Sequence, residues 1–335
     1  MNETPGKSAV ASRSNRRPRV GTVIGDVAGI GPEVVAKAWA TGEVHAVSRP
    51  VLIGSAHAMR DAVDIAGLSM EVRTVAGVDQ IADDPRIIDI IDNGALDPAD
   101  IRRAEDTLAS GAATGSWLGL ADEMARRGDL DATIMGPVSA KALEMAGALD
   151  KAVRVVAGET YLLLLTGPLR VLHLTDHMPL RQVCDTVSAD LVDDALTLLD
   201  KSFRAWGIAN PRIGVAGLNA HAAGVEDREQ IAPGVELARA KGIGAEGPLS
   251  PDTVFRRCIE DRYDVVLAMY HDQGHIAVKT WGFSGNCVVV LGLPYLHLSV
   301  AHGTAFDIAG KGIADHSMIL EAMVRAGQLC GGAGL

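Results

Sequence analysis

Strand-like and helix-like segments alternate along almost the whole chain, which predicts an α/β fold with a largely parallel sheet. Short apolar runs rich in Val, Ile and Leu have the length of buried strands. Longer segments between them repeat apolar residues at helical spacing. A length of 335 residues fits one large or two medium domains, and we expect two lobes with a cleft between them.

The first half of the chain contains four predicted strands and three predicted helices. Each strand is a short aliphatic run bounded by Gly, Pro or charged residues, and Pro32 stands near a helix start, where its missing amide is harmless. The strands are residues 20–25, 50–54, 87–91 and 131–135, and the helices are residues 31–40, 56–66 and 108–127. Residues 136–141 are a predicted loop.

The second half repeats the same alternation. Its helices are predicted from apolar residues at helical spacing, and its strands from runs dominated by Val and Leu. The strands are residues 169–174, 213–218, 265–269 and 287–291, and the helices are residues 189–206, 228–241 and 315–326.

The composition excludes several classes of protein. An excess of 42 acidic over 31 basic side chains argues against a broad nucleic-acid surface, and no apolar run is long enough to cross a membrane. The four cysteines have no CxxC spacing, so we expect reduced thiols in a cytoplasmic protein. Residues 1–19 are basic and polar without a signal-peptide core, and we predict a disordered tail.

Three histidines stand in polar segments directly after strand-like runs: His177, His221 and His271. Ligands bind α/β sheets at the carboxyl ends of strands. Three imidazoles that meet there can hold one divalent cation and leave a position open for substrate, although a lone histidine after a strand is more often an ordinary loop residue. Three neutral nitrogen ligands suit zinc, which we expect, or cobalt or nickel, with manganese as a further alternative.

A glycine-rich segment, Gly25-Asp-Val-Ala-Gly-Ile-Gly-Pro-Glu33, separates the first predicted strand from the first helix. The free amides of a helix start favour anions. The segment does not match GxGxxG, so a nicotinamide cofactor would bind without the Rossmann fingerprint.

Taken together, seven ordered motifs resemble those of the 4-hydroxythreonine-4-phosphate dehydrogenase (PdxA-like) family, from residue 20 to about residue 327. They are Gly25-Asp-x-Ala-Gly-Ile-Gly-Pro-Glu33, Gly136-Pro-x-x-x-Lys141, His177-x-Pro-Leu180, Asn219-x-His-Ala222, Gly247-Pro-Leu-x-x-Asp-Thr-x-Phe255, Tyr270-His-Asp-Gln-Gly274 with Lys279, and Ser299-Val-x-His-Gly-Thr-Ala305. The resemblance implies a two-lobed fold like that of isocitrate and isopropylmalate dehydrogenases. It also implies a homodimer with the active site in the cleft at the subunit interface.

The resemblance implies roles for individual residues. The three histidines match the family's metal ligands, one of them supplied by the second subunit, and Lys279 and Thr160 match substrate-binding residues. Asp252 and Asp272 join Lys279 as candidate catalytic residues, and we expect the two acids to orient the histidines. NAD or NADP is expected near residues 299–315, with four candidate cofactor-binding residues: Ser299, His302, Asp307 and Asp315.

Three positions depart from the family's substrate-binding set: Glu159 replaces a histidine, Val288 an asparagine and His297 an arginine. Histidine does not match an arginine fork as a phosphate clamp, and Glu159 would repel a phosphate. Glu159 and His297 remain candidate substrate-contacting residues. We therefore expect an unphosphorylated substrate such as terephthalate cis-dihydrodiol, which would give protocatechuate, as in the family's dihydrodiol dehydrogenase branch.

The expected reaction is oxidation by NAD(P) of a secondary alcohol β to a carboxylate, followed by loss of CO2. Residues 251–255 and 270–275 look more like the phospho-threonine and phospho-threonate branches, so 4-hydroxythreonine 4-phosphate and 4-phospho-threonate are alternative substrates. A zinc hydrolase would need a glutamate base, and no His-Glu-x-x-His occurs. A non-catalytic metal-binding relative is a further alternative, against which the retained histidines and Lys279 argue.

Overall fold

The structure is a computed structural model that describes residues 16–153, 155–282 and 286–333. The strands in these residues are β1 (Arg19–Val23), β2 (Arg49–Ile53), β3 (Glu71–Thr74), β4 (Ile87–Ile91), β5 (Ala132–Met135), β6 (Tyr161–Thr166), β7 (Leu169–His173), β8 (Ile213–Ala216), β9 (Ala245–Leu249), β10 (Val265–Ala268), β11 (Cys287–Leu291) and β12 (Leu296–Val300). The α-helices are α1 (Gly31–Ala40), α2 (Glu43–Val47), α3 (Ala56–Ile65), α4 (Leu108–Arg127), α5 (Ala140–Met145), α6 (Leu180–Thr186), α7 (Ala189–Ala205), α8 (Ala232–Ala240), α9 (Val254–Ile259), α10 (His271–Trp281) and α11 (Ser317–Gly331).

These strands form one sheet in the order β3-β4-β2-β1-β5-β12-β11-β6-β7-β10-β8-β9. The first six in this order run parallel and are called the first parallel group. The last four, β7, β10, β8 and β9, are the second parallel group. The prediction of an α/β fold with a largely parallel sheet is therefore confirmed.

Antiparallel pairing is confined to the centre of the sheet, between β12 and β11, β11 and β6, and β6 and β7. Three successive reversals leave the second parallel group pointing opposite to the first. The carboxyl ends of the two groups therefore lie at opposite edges of the sheet, where an edge is a row of strand ends and not an outermost strand. This arrangement decides which loops meet, because loops that follow parallel neighbours leave the sheet on the same side.

Most predicted elements are present, and α1, α4, β4 and β11 have the predicted bounds. The predicted helix 228–241 is divided into a π-helical turn, Asp227–Ile231, and α8. The predicted loop after β5 ends in α5, because the Ser139 side chain accepts a hydrogen bond from the Ala142 amide and caps a helix there. The strands β3, β6, β9 and β12 were not predicted, and Ser299 lies in β12.

The last residues of the predicted tail belong to the folded body. Residues 1–15 lie outside the described part of the chain. Arg19 is the first residue of β1, and its backbone amide donates to the carboxylate of Asp131, while Arg16 forms an ion pair with Asp131 at 3.0 Å. Acidic groups of the body therefore bind the end of this basic segment, and the disordered tail stays a prediction for the residues that lie outside the described part.

The core is aliphatic, as the composition suggests. Strands such as β10 and β11 are buried along their whole length, which is typical of a sheet covered by helices on both faces. The four cysteines, all within the described residues, form no disulfide. Over the described ranges, no helix is long and apolar enough to cross a membrane.

The glycine-rich segment after β1 holds the long loop that follows β12. The Ile30 amide donates to the Thr304 carbonyl at 3.0 Å. A Cβ on Gly29 would lie 2.6 Å from that carbonyl oxygen, so only glycine allows the two backbones to approach this closely. The segment thus acts as a support for residues 301–316.

A buried ion pair on α1 fastens the same loop farther along. Lys37 Nζ donates to Glu33 Oε1 at 2.8 Å and to the carbonyls of Gly312 and Ala314 at 2.9 and 2.8 Å. Glu33 Oε1 also accepts the Ala314 amide, at 2.9 Å. The Glu33 side chain is only 4% exposed, so its charge depends on Lys37 for compensation.

We expect Lys37→Met to lower the free energy of unfolding by about 3 kcal/mol, because the Glu33 carboxylate would remain buried without its cation. Urea unfolding of the two proteins measures the difference. Arg239→Met, which breaks an exposed ion pair with Glu236, is the matched control and should change stability far less. Equal effects of the two substitutions would contradict the assigned role of the buried pair.

Candidate metal centre

The three histidines follow adjacent parallel strands, as the sequence suggested. His177, His271 and His221 come after β7, β10 and β8, which are neighbours in that order in the sheet. Gln273 ties two of these strand ends together: its Oε1 accepts the Met269 amide at 2.7 Å, and its Nε2 donates to the Gly217 carbonyl at 2.8 Å. The edge that carries the histidines is therefore braced by side-chain hydrogen bonds.

Asp176, His177 and His271 form a cluster that could hold a metal ion. Each offers one ligand atom, and these atoms lie within 4.8 Å of one another. The two imidazole rings are 4.5 Å apart between centroids. Sequence reasoning missed Asp176, although an acid directly before a candidate histidine ligand was the available signal.

Acidic neighbours hold both rings of the cluster. His177 Nδ1 lies 3.0 Å from Asp176 Oδ2, and His271 Nδ1 lies 2.8 Å from Asp272 Oδ1. The hydrogen bond from His271 lowers the pKa of Asp272. With Nδ1 bound to an acid, Nε2 is the nitrogen that each ring can offer to a cation.

The donor set fits a divalent ion. Asp176 Oδ1 is buried and has no hydrogen-bond partner among the described residues, although a carboxylate oxygen normally accepts one. Two imidazoles and a carboxylate are ligands that zinc commonly takes, and cobalt, nickel and manganese accept the same donors.

His221 does not belong to the cluster within one chain. It lies in a short 3-10 turn, Ala220–Ala222, where its φ of 57° is in the left-handed region. Asp227 holds this turn in place: its buried carboxylate accepts the amides of Leu218 and Gly224 and the side-chain amide of Asn219. The exposed His221 ring is thus presented from a well-supported loop.

Asp252 is connected to His221 through Ser250. The Ser250 hydroxyl donates to Asp252 Oδ1 at 2.7 Å and lies 3.5 Å from His221 Nδ1. The hydrogen bond from Ser250 lowers the pKa of Asp252. The two acids that we expected to orient histidines therefore lie beside His221 and His271, respectively.

Lys279 shares one face of α10 with two histidines. His271, His275 and Lys279 are spaced four residues apart, and the rings of His271 and His275 stack at 3.7 Å. The His275 Nδ1 donates to the His271 carbonyl at 3.1 Å. Burial, followed by the charges of His271 and Lys279, lowers the pKa of His275 to about 4.

His173 lies beneath this face in the sheet. Its Nδ1 donates to the Leu162 carbonyl at 2.9 Å, and its Nε2 has no partner among the described residues. Burial lowers its pKa to about 3, so the ring is neutral. A Cβ on Gly274 would lie 2.3 Å from that Nε2, which explains glycine at this point of α10.

The candidate substrate-binding residues lie in three different settings. Thr160 is buried just before β6, where its hydroxyl accepts the Val156 amide at 2.8 Å, and Glu159 beside it is exposed. His297 is buried in β12, with its Nδ1 2.7 Å from the Thr133 hydroxyl. Val288 packs in the core beneath α10 with Val278.

The candidate cofactor-binding residues belong to the opposite edge of the sheet. Ser299 is buried in β12, and His302 and Asp307 lie in the loop that follows it. Asp315 accepts the Ser317 amide at 2.7 Å at the start of α11, and hydrogen bonds from the Ser317 side chain and amide lower the pKa of this acid. Within one chain, the structure therefore does not bring these residues to the metal cluster.

The family model described as "Pyridoxal phosphate biosynthetic protein PdxA" matches residues 46–326. A protein of Novosphingobium aromaticivorans, provisionally named 4-hydroxythreonine-4-phosphate dehydrogenase, is 59% identical over 95% of this chain and 96% of its own. The D-threonate 4-phosphate dehydrogenase of Cupriavidus necator is 35% identical over 94% of this chain and 98% of its own.

Solved structures give the same relationship. A 4-hydroxythreonine-4-phosphate dehydrogenase from Burkholderia phymatum matches with a TM-score of 0.83 and 34% identity, over 94% of this chain and 99% of its own. A terephthalate 1,2-cis-dihydrodiol dehydrogenase from Burkholderia xenovorans LB400 matches with a TM-score of 0.66 and 30% identity, over 91% of this chain and 96% of its own. These relatives favour the phosphorylated alternatives over the expected dihydrodiol. The chain belongs to the PdxA family.

Proposed function

We propose that the chain is an NAD(P)-dependent and divalent-metal-dependent dehydrogenase that oxidises the secondary alcohol of a small hydroxy acid. The observation that carries this proposal is the cluster of Asp176, His177 and His271 at the carboxyl edge of the second parallel group. Membership of the PdxA family, with relatives named as dehydrogenases, supports the reaction class.

His177 and His271 would hold the metal, together with Asp176 of the same chain and His221 of a second copy. When bound, a divalent cation supplies Lewis acidity towards the oxygens of the substrate. Asp272 fixes the orientation of the His271 ring through the Nδ1 contact at 2.8 Å. Asp252 does the same for His221 through Ser250.

A homodimer with a shared active site is part of the proposal. Within one chain, the metal cluster and the loop after β12 lie at opposite edges of the sheet, as the opposed directions of the two parallel groups require. His302, Asp307 and Asp315 would bind the nicotinamide cofactor, with Ser299 at the base of that loop. A second copy would supply the part of the site that one chain does not assemble.

Lys279 would act on the substrate from α10. Its position two turns after His271 on one helical face directs it to the side of α10 that carries the metal ligand. There it would bind a substrate carboxylate or donate a proton after CO2 has left the oxidised product. Thr160 and Glu159 would contact the substrate from the start of β6.

The names of the relatives make 4-hydroxythreonine 4-phosphate and D-threonate 4-phosphate the first candidate substrates. The second candidate is an unphosphorylated diol acid such as terephthalate cis-dihydrodiol. Glu159, Val288 and His297 favour it, because none of the three adds the positive charge that a phosphate requires.

We expect zinc- or manganese-loaded protein to reduce NAD or NADP with a phosphorylated candidate, with release of CO2. The two phosphates and the dihydrodiol are offered in parallel, and reduced cofactor and CO2 are both measured. Turnover of the dihydrodiol alone would favour the second candidate. Metal-loaded protein that binds the ion but oxidises none of the three would support a non-catalytic relative and contradict the proposal.

A further inference from the structure

The contact between His271 and Asp272 is exposed to solvent. The Asp272 side chain is 74% exposed, so water and salt weaken its bond to His271 Nδ1. A contact of this kind fixes an imidazole only loosely. A metal ligand that samples several rotamers binds its ion less tightly, because binding must select one of them. The other contacts of the His271 ring therefore decide how well it is oriented before a metal arrives.

The closest ring to His271 among the described residues is that of His275. The two centroids lie 3.7 Å apart and the planes differ by 18°, so the rings stack face to face. The His177 ring, which belongs to the metal cluster itself, lies at 4.5 Å and is tilted by 41°. A stacked ring restricts rotation of His271 over its whole face, whereas the hydrogen bond to Asp272 acts at one atom.

The His275 ring is held in place by two contacts of its own. Its Nδ1 donates to the His271 carbonyl, one turn back in α10, at 3.1 Å. The ring also lies against that of His173, with centroids 4.6 Å apart. His275 therefore offers His271 a fixed surface and not a mobile side chain.

His173 connects this pair of rings to the sheet. It is fully buried in β7, and its Nδ1 donates to the Leu162 carbonyl of β6 at 2.9 Å. The first turn of α10 rests directly on it, since a Cβ on Gly274 would lie 2.3 Å from the His173 ring and 2.7 Å from Val171 Cγ1. Glycine at this position thus lets α10 lie close enough to the sheet for His275 to contact His173.

His275 adds no ligand atom to the cluster. The group of ligand atoms that lie within 4.8 Å of one another among the described residues comes from Asp176, His177 and His271. The His275 Nδ1 is bound to a carbonyl. The contact of His275 with the candidate metal centre therefore passes through the His271 ring.

We propose that His275 is a positioning residue for the candidate metal centre. Its ring, supported by His173, holds the His271 imidazole in the orientation that offers Nε2 to the cation. This inference rests on the proposed function and deepens it, because it concerns the same metal site. A ligand that is already oriented loses less freedom on binding, so the ion is bound more tightly and in one geometry.

Substitutions of His275 separate the stacked ring from its hydrogen bond. His275→Phe keeps a flat ring without the donor, and His275→Leu replaces the ring with an aliphatic side chain. We expect Co²⁺ to bind the full-length His275→Leu protein about tenfold more weakly than wild type, and His275→Phe to stay within about threefold of wild type. Calorimetric titration measures the affinity. The visible spectrum of bound Co²⁺ should change in His275→Leu and keep its wild-type form in His275→Phe.

Two further comparisons test whether His275 acts through His271. Val278 is fully buried two turns along α10 from His271, so Val278→Ala weakens the packing of the helix and should leave the Co²⁺ affinity and spectrum unchanged. In His271→Ala protein, adding His275→Leu should change the remaining Co²⁺ affinity less than about twofold, because the ring that His275 orients is gone.

NMR of metal-free wild-type protein tests the orientation without any substitution. The full chain carries 13C- and 15N-labelled histidine, and its signals are assigned by correlation to the backbone. We expect nuclear Overhauser contacts between the His271 and His275 rings and a single χ1 rotamer of His271. Averaging of His271 among rotamers would overturn the proposal even if the His275 variants did not fold.

Three results with Co²⁺ would also overturn it: wild-type affinity and spectrum in His275→Leu, an equal loss of affinity in Val278→Ala, or an undiminished effect of His275→Leu in His271→Ala protein. Wild-type protein that binds no Co²⁺ would overturn the proposed metal centre and this inference with it. Co²⁺ binding that depends on His275 in a protein without dehydrogenase activity would support this inference while the proposed activity fails.

Discussion

Mixing His221→Ala protein with His271→Ala protein is expected to restore the metal binding and NAD(P) reduction that neither variant has alone. His271 lies in the cluster with Asp176 and His177, whereas His221 of the same chain lies outside it. If His221 reaches the site of a second copy, a mixed dimer has one site without either substitution. Random reassociation of a symmetric dimer would then return about a quarter of wild-type activity.

The matched control is a mixture of His177→Ala with His271→Ala. These two rings lie 4.5 Å apart in one chain, so every site in the mixed dimer lacks one of them, and activity should stay absent. Each variant taken alone through the same dissociation and mixing gives the baseline. Failure of the first mixture would mean that His221 and His271 of one site come from the same chain. Recovery in both mixtures would mean that His271 is the residue that crosses between subunits.

Lowering the pH from 7.5 to 5.0 is expected to lower the free energy of unfolding of the metal-free protein by about 4 kcal/mol through two histidines alone. Burial lowers the folded-state pKa of His173 to about 3 and that of His297 to about 4. The unfolded chain therefore takes up protons first, near the ordinary value of about 6.5, while the folded chain does not. The stabilisation is complete above that value and is lost as the pH falls towards the folded-state values.

Urea unfolding at the two pH values measures this loss. In His297→Gln the loss between the two values should be smaller by about 2 kcal/mol, because one of the two titrating rings is gone. His57→Gln, at a half-exposed position on α3, is the control and should keep the wild-type pH dependence. A loss in His297→Gln equal to that of wild type would show that the imidazole is already protonated in the folded protein at pH 5.

Sequence reasoning located the edge of the sheet at which the candidate metal centre lies. His177, His221 and His271 each follow a strand that hydrophobic runs identify, and the positions of β7, β8 and β10 within one parallel group make their carboxyl ends neighbours. This prediction succeeds because each strand and the histidine after it are recognised within a short stretch of sequence, and because parallel strands share a direction. The sequence does not show that His221 lies outside the cluster that contains His177 and His271. The place of His221 depends on how Asp227 holds one loop.

The reversal at the centre of the sheet could not be read from the sequence. Tyr161-Leu-Leu-Leu-Leu-Thr166 is as apolar as a parallel strand, and its direction is set by the short turn to β7 and by pairing with β11. The strand β12 itself was missed, because its brief apolar run resembles the polar segment after it. The carboxyl ends of the two parallel groups lie at opposite edges only because of pairing between strands that are far apart in the sequence.

The position of β12 has a consequence for synthesis of the protein. This strand, from near the carboxyl end of the chain, lies between β5 and β11, and α11 packs on β1, β5 and α1. The amino-terminal strands thus leave the ribosome long before the segments that cover one side of their sheet. Until those last segments emerge, β5 presents an open edge to other chains, so chaperone capture of nascent chains should be concentrated in this interval.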